Sequence, residues 1–522
     1  MTEQWSLKKW GLLGAIAFLL GFMQTILSGV NFADESWFLQ VAHRISHGEV
    51  LYRDVFFGAT PLPAQIASFF VQLAGSEILV TKALRAICFA LNIVLSCLII
   101  NQMTRTKQLP LFLIAALLIY TPPGVGSLYS SLANVFFLST ILFVFLWKQA
   151  RFAKAEKGSS SARLAAIVGL CAGLCFAAKQ NLGIYVIALA AVLMAMHLIV
   201  KPKTGLLQII KDLAVVAAAF LFTLFLSVAP LLINGGFAEF IDYGFLNKKN
   251  YLVLAEIPYF EGLQLFFYNF IHLNTYEGFR QVFFDTIFIF PLLSVLSLLL
   301  MFIFSAKDQR GLVFAAFLIA ITGWAGMLPR VDRNHISYVI PELLIGVAFV
   351  WYQLKPKLPS LARKVILSLL ILWGSWGLYQ VYMEPLLKIP DPDYQVSSLP
   401  HYKWTILPTP QHMEILQEIR FITDHTAQDE TVFFLSPFAG AYYLITDKTN
   451  VTPFDLSYAT AFGLHGEEQV MDAITKGKID VVFVDHRMSY MPILQPDPLL
   501  KFVKENMLQA ETENNLTIYR AR

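Results

Sequence analysis

The stretch WGLLGAIAFLLGFMQTILSGV, residues 10–30, carries no charged residue and, at about twenty residues, is long enough for one helix across ~30 Å of hydrocarbon. It runs directly into NFADESWFLQVAHRISHGEVLYRDVFFGATPLP, residues 31–63, which is rich in carboxylates, histidines and arginines. No small-residue cleavage site follows the apolar run, so it reads as a retained helix rather than a removed signal peptide. The chain leaves lipid and at once presents polar chemistry.

The remaining composition agrees with that reading. Of 522 residues 57% are hydrophobic and 14% charged, against about a quarter charged in ordinary soluble domains, which identifies a polytopic membrane protein. A net charge of +3 without any Lys/Arg-rich block excludes a nucleic-acid binder and points to lipids or lipid-soluble partners. The four cysteines, Cys88, Cys97, Cys171 and Cys175, fall inside apolar runs and match no zinc spacing.

Apolar runs of spanning length lie near residues 10–30, 80–100, 109–121, 128–147, 163–178, 182–200, 212–234, 282–304, 311–328, 336–354 and 363–383, giving about eleven helices. Alternate connections hold the cations: Lys8 and Lys9; Arg105 and Lys107; Lys148 to Arg163; Lys201, Lys203 and Lys211; Lys307 and Arg310; Lys355 to Lys364. The positive-inside rule then puts the N-terminus in the cytoplasm and the C-terminus outside.

The chain divides into a transmembrane region, 1–383, whose first external loop spans 31–77, and a C-terminal region, 384–522. In the latter, HMEILQEIRFITDHT and EEQVMDAIT have helical spacing, whereas TVFFLSP, DVVFVDHR and LTIYRAR read as strands. A small external α/β domain is expected. In the first loop, SWFLQVAHRISHG and TPLPAQIASFFVQLAG have the pattern of amphipathic helices lying at a membrane surface.

Several polar groups admit two readings. Asp34 and Glu35 either end the first helix in water or supply a general base whose proton affinity is raised by partial desolvation. In LPRVDRNHISYVIPELL, the cations Arg330, Arg333 and His335 precede a helix N-terminus, where the macrodipole disfavours them. Either Asp332 offsets them alone, or they grip a phosphate. Lys179, between two apolar helices, either snorkels or joins that grip. His43 and His47 share a helix face and, with Glu35 or Asp54, compose a metal set only if they are more than surface histidines. The aromatic external stretch YLVLAEIPYFEGLQLFFYNFIHLNTYEGF reads as an interfacial belt or a groove for an isoprenoid tail.

The Asp34-Glu35 pair after a long first helix, then GEVLYRDVFFGATPLPAQIASFFVQLAG, resembles the first external loop of the GT-C superfamily of membrane glycosyltransferases, in the branch of protein mannosyltransferases and the lipid A aminoarabinose transferase. LPRVDRNHISYVIP is similar to a late Arg-x-Asp-x-x-His element of bacterial members. The resemblance implies a mainly α, polytopic GT-C-like bundle with a small C-terminal extracytoplasmic α/β domain. It also implies an inverting transfer of a hexosyl or pentosyl group from a polyprenyl-phosphate carrier to a glycan, glycolipid or protein acceptor, on the external face of the plasma (inner) membrane. Asp34 is the implied base, with Glu35 and Asp54 orienting acceptor or sugar. Lys179, Arg330, Arg333 and His335 are the implied donor-phosphate ligands, and Asp332 supports the arginines. No cofactor is expected and no metal. No internal carbohydrate-recognition module of the protein mannosyltransferase kind is recognisable, which leaves the acceptor open. A transporter or flippase of lipid-linked substrates is the competing class, but such proteins place polar groups near the bilayer midplane; a catalytically silent envelope scaffold is the third.

Overall fold

The structure is a computed structural model that describes residues 7–104, 111–124, 127–152, 159–200, 206–247, 256–306, 309–328, 330–490 and 495–522. Among the cations that set the orientation, Arg105, Lys107, Lys154, Lys157, Lys201, Lys203 and Lys307 lie outside the described residues, as do residues 251–255 of the aromatic stretch.

All eleven apolar runs fall on helices, beginning with Leu7–Leu27 and ending with Ser360–Leu378. Among the described residues, seven helices are long and apolar enough to cross a membrane, or eight if the pair Tyr276–Phe288 and Phe290–Phe304, bent by 47°, counts as one span. Leu111–Tyr120 and Gln180–Met196 are shorter apolar helices. The chain is a multi-pass membrane protein.

Two compact units divide it. The first comprises Met1–Thr25, Arg85–Leu226 and Glu256–Pro385. In it, Gly169 and Gly173 lie on one face of the Ser159–Ala178 helix. A Cβ on Gly169 would meet the Val216 carbonyl oxygen at 2.2 Å, and one on Gly173 the Thr223 Cβ at 2.6 Å. Small residues four apart thus let the Leu206–Asn234 helix approach closely, which is how helices associate where lipid removes the hydrophobic drive. Trp147 closes the same contact by donating its indole N–H to Asp212 Oδ2 at 3.0 Å. The opposite side of Leu206–Asn234 exposes Leu221, Phe222 and Phe225.

The second unit comprises Ile26–Leu84, Ser227–Ala255 and Leu386–Arg522. Its sheet has the order β3-β4-β6-β5, built from β3 (Val432–Leu435), β4 (Val481–Asp485), β5 (Leu508–Glu513) and β6 (Leu516–Arg520). β3 and β4 run parallel, and β6 is antiparallel to both β4 and β5. Every residue of β3 and β4 is buried, as expected for parallel strands covered on both faces. Helices Thr409–Asp424 and Gly466–Thr475 occupy the expected segments. A separate antiparallel pair joins β1 (Tyr394–Val396) to β2 (Ile406–Pro408).

The Asp34–Ser46 helix belongs to this unit, and its apolar face meets protein rather than a lipid surface. Phe38, Leu39, Val41 and Ala42 are buried. Gly440, at the start of the Ala439–Thr446 helix, comes so near that a Cβ on it would lie 2.7 Å from the Trp37 Cα. The Leu62–Ala74 helix, by contrast, leaves Phe69, Phe70 and Leu73 exposed.

Arg44 ties these segments together. Its Nε and Nη2 donate to Glu49 Oε2 at 2.9 and 2.6 Å. Nη1 donates to the Thr452 carbonyl at 3.0 Å and to Asp455 Oδ2 at 2.9 Å, and Nη2 also reaches the Asp54 carbonyl at 2.8 Å. All five guanidinium donors are used. The Asp455 side chain is fully buried, so Arg44→Met leaves a stranded carboxylate and should destabilise the protein by about 3–5 kcal/mol. Denaturant unfolding in detergent measures this; a loss under about 1 kcal/mol would make the pair equivalent to a surface salt bridge.

Candidate active site

The acidic residues are positioned by the second unit. Asn31 organises the entry to the Asp34–Ser46 helix: its Oδ1 accepts from the N–H groups of Ala33 and Asp34 at 3.0 and 3.2 Å. Its Nδ2 donates to Asp34 Oδ2 at 3.0 Å, and its own N–H donates to Glu35 Oε2 at 2.9 Å. This reciprocal arrangement satisfies orphan donors of the first turn and fixes both carboxylates. Asp34 is exposed. Glu35, by contrast, is one-tenth exposed and faces Lys82, whose side chain is completely buried and whose Nζ lies 3.4 Å from Glu35 Oε1. Lys82 also donates to the Gly29 carbonyl at 2.8 Å.

Asp54 closes the turn after Gly48. Its oxygens accept from Arg53 Nε and Nη2 at 2.9 and 2.8 Å and from the Val50 N–H at 2.8 Å. The bond from Arg53 holds this carboxyl below the usual carboxylate range, against the opposing effect of partial burial. Next to it Tyr52 adopts φ +71°, a costly conformation for a bulky residue. It is held there because its hydroxyl donates to the Ala59 carbonyl at 2.5 Å and its N–H to the Val55 carbonyl at 2.8 Å. Tyr458, from the C-terminal region, has its proton affinity raised by burial first, with the Asp34 and Asp485 charges adding to it.

The cationic residues are positioned by the first unit. Asp332 caps the short helix Arg333–Ser337 by accepting from the His335 N–H at 2.9 Å. The same carboxylate contacts His335 Nδ1 at 2.9 Å and accepts from Arg330 Nε at 2.7 Å. Burial alone would raise its proton affinity, yet the bonds from His335 and Arg330 outweigh that and hold the carboxyl far below the usual range. Arg330 is further fixed by the chain, since the following N–H of Val331 donates to the Ile257 carbonyl at 2.9 Å.

Tyr338 is where the separate cationic segments meet. Its ring centroid lies 5.8 Å from that of His335, and Lys179 Nζ sits 5.3 Å from it, within cation–π range. Lys179 also donates to Ser130 Oγ at 3.2 Å, and the Ser127 N–H donates to the Tyr338 hydroxyl at 2.8 Å. Arg333 turns elsewhere: its Nε reaches Asp285 Oδ1 at 2.7 Å and its Nη2 reaches Gln281 Oε1 at 2.6 Å. Asp285 is fully buried and takes a second bond from Asn269 Nδ2 at 2.6 Å.

Sequence reading missed Asn31, Lys82, Tyr338 and Asp285. Lys82 had a signal, a lysine within the apolar helix segment ILVTKALRA; the pairing of Asp285 with Arg333 had none. The His43 and His47 ring centroids lie 4.2 Å apart with the ring planes tilted by 41°. Burial first, then His47 and His401, push the His43 pKa down to about 4. Among the described residues no three His, Cys, Asp or Glu side chains converge as a metal set.

No protein-family profile matches the sequence, and no curated protein matches it. Solved structures do. The crystal structure of ArnT from Cupriavidus metallidurans bound to undecaprenyl phosphate is similar over 98% of this chain and 98% of its own, at 13% identity and a TM-score of 0.59. Its apo state matches over 97% of each chain, at 13% identity and a TM-score of 0.56. The cryo-EM structure of the arabinofuranosyltransferase AftD from mycobacteria matches 99% of this chain and 40% of its own, at 13% identity and a TM-score of 0.51. The chain therefore has the fold of these structures, as expected of the mainly helical, GT-C-like bundle that the sequence resembles.

Proposed function

We propose that this protein is an inverting glycosyltransferase that moves a sugar from a polyprenyl-phosphate carrier to an acceptor hydroxyl or amine on the external face of the plasma membrane. The observation that carries the reading is the meeting of Lys179, Arg330 and His335 around Tyr338 and Asp332. Two cations and an imidazole, brought together from segments far apart in sequence, suit a phosphate better than a structural role does. The fold adds support, since a protein similar over almost the whole chain holds undecaprenyl phosphate.

The chemistry then follows from what each group can supply. The acceptor oxygen or nitrogen attacks the anomeric carbon while Asp34 takes its proton. The bond from that carbon to the phosphate oxygen breaks with its electron pair going to the phosphate, whose added negative charge Lys179, Arg330 and His335 stabilise. The configuration at the anomeric carbon inverts because the attack comes opposite the leaving group. Phosphate is already a stable anion, so no acid catalyst and no metal is needed. Asp332 aims Arg330 and His335, whereas Arg333 anchors the element through Asp285. Glu35 holds Asn31, and through it Asp34, and Asp54 keeps the adjoining turn closed. The sugar is a hexose or a pentose, and glycan, glycolipid and protein acceptors all remain compatible with this chemistry.

With a polyprenyl-phosphate sugar and an envelope acceptor extract, Asp34→Asn should lower turnover about 100- to 10,000-fold with unchanged thermal unfolding; equal turnover removes Asp34 as the base. Arg330→Ala should weaken donor binding about tenfold to a hundredfold and shift the melting temperature little. The opposite pattern would make the cluster structural. Excess chelator should leave turnover intact, and its loss would call for a metal. The folded Asp332 carboxyl lies below its unfolded value, so its stabilisation is present above about pH 4 and is lost as pH falls further. The stability gap between wild type and Asp332→Asn should accordingly be larger at pH 7 than near pH 3, and a gap independent of pH would contradict this.

A further inference from the structure

Within the second unit, residues 397–405 join β1 to β2 in a loop whose backbone is costly. His401 and Trp404 adopt φ +66° and +70°, where a turn normally takes Gly or Asn. Side chains this large stay in such a conformation only when their surroundings fix it. Tyr402 and Thr405 do so here, both completely buried, with the Tyr402 ring packed on Phe32 at a centroid distance of 5.3 Å. The Tyr402 N–H donates to the Leu399 carbonyl at 3.1 Å and the Ser397 N–H to the Thr405 carbonyl at 2.8 Å, while Thr405 Oγ1 donates to the Tyr402 carbonyl at 2.8 Å. Between these two buried residues Lys403 and Trp404 are exposed, Trp404 to 69%.

The loop is strapped to the ends of two membrane spans. Within this unit the chain leaves the Leu7–Leu27 helix and enters the Ile78–Thr104 helix, so those two ends lie on one face of the membrane. At the first, the Ile406 carbonyl oxygen comes so near Gly29 that a Cβ there would lie 3.3 Å from it. At the second, the His401 carbonyl accepts from the Ile78 N–H at 2.8 Å, and the His401 ring donates from Nδ1 to the Ser76 carbonyl at 2.7 Å. A helix of 27 residues rises about 40 Å, the thickness of the hydrocarbon together with its headgroup layers. A loop bonded at the first residue of that helix therefore stands among headgroups. The Leu62–Ala74 helix reaches the same place, since only Gly75, Ser76 and Glu77 separate it from Ile78, and it too leaves apolar side chains exposed, Phe69, Phe70 and Leu73.

We propose that the loop joining β1 to β2 is a lipid-binding seat: the Trp404 ring lies in the headgroup layer of the bilayer, and Lys403 places its ammonium among the lipid phosphates. Tryptophan favours that layer because its ring is apolar while its indole N–H finds a polar partner there. The lysine stem can lie along apolar surface while the charge reaches the phosphates. In water the same tryptophan would be a large apolar surface held out in a strained backbone with nothing to offset the strain. At the bilayer boundary, the strain turns the one amphipathic ring of the loop toward the medium it suits. Seated this way, the C-terminal region is held to the membrane by its own side chains, at the ends of the two spans that bracket the Asp34 turn.

The test uses the full chain in phospholipid nanodiscs. Fluorescence of the wild type minus that of Trp404→Phe isolates this one of the nine tryptophans. With dibrominated acyl chains in the nanodisc that difference emission should lose most of its intensity, whereas aqueous iodide should leave it nearly unchanged. Quenching by iodide and not by the brominated lipid would put the ring in water and overturn the seat. Protection from both quenchers would mean a protein cover, such as a second copy of the chain, and overturns it equally. Iodide quenching that is relieved only when an envelope glycan extract is added would make Trp404 a platform for sugar, again against the proposal. Trp404→Tyr serves if the phenylalanine variant does not fold. A fluorophore on Lys403→Cys, with wild type labelled in parallel as the blank, gives an independent reading: quenched by headgroup-labelled spin lipids if the loop is seated, by iodide alone if it is not.

Discussion

A single carboxylate, that of Asp332, organises the cationic side of this protein. Arginine and histidine side chains placed before a helix repel one another and the N-terminal dipole, and an acid that caps that helix while bonding both of them converts the conflict into a fixed arrangement. Asp332 accepts from the His335 backbone and contacts both the His335 ring and the Arg330 guanidinium. Its negative charge offsets that of the Arg330 guanidinium. What is left is a set of donors held in place, and Tyr338 brings the Lys179 ammonium to it.

The second unit meets the same constraint with opposite charges. Glu35 is paired with the buried Lys82, Asp54 with Arg53, and Asp455 with Arg44. Breaking a buried pair costs much more than an exposed one contributes, so Glu35 and Asp455 are committed to the fold, whereas the Asp54 pair is half-exposed. Asp34 differs from them in being exposed at the first turn of its helix, with Asn31 holding it. A base needs both access to its substrate and a fixed orientation, and Asp34 combines them.

The sequence was informative where local pattern decides the outcome. Unbroken apolar runs marked the helices, and the near-continuous hydrophobicity of VFFL and VVFVD marked the two parallel strands. β5 went unread because LQAETE is exposed at every position and has no apolar face to signal a strand. The Asp34–Ser46 helix was legible as amphipathic, but periodicity cannot distinguish lipid from protein as the cover, and here the cover is Gly440 and its neighbours. Among the candidate site residues, the Arg330 to His335 element was legible because cations before a helix need an explanation. The commitment of Arg333 to Asp285, 48 positions away, and of Arg44 to Asp455, 411 away, depends on tertiary structure and leaves no local trace.

The most direct measurement of the central claim is a structure of the protein with a polyprenyl phosphate bound. The phosphate oxygens should lie within about 3 Å of Lys179 Nζ and of an Arg330 guanidinium nitrogen, at hydrogen-bond distance, with Asp332 still joining Arg330 to His335. A phosphate seated elsewhere, with these three cations unchanged and facing only protein, would contradict the account.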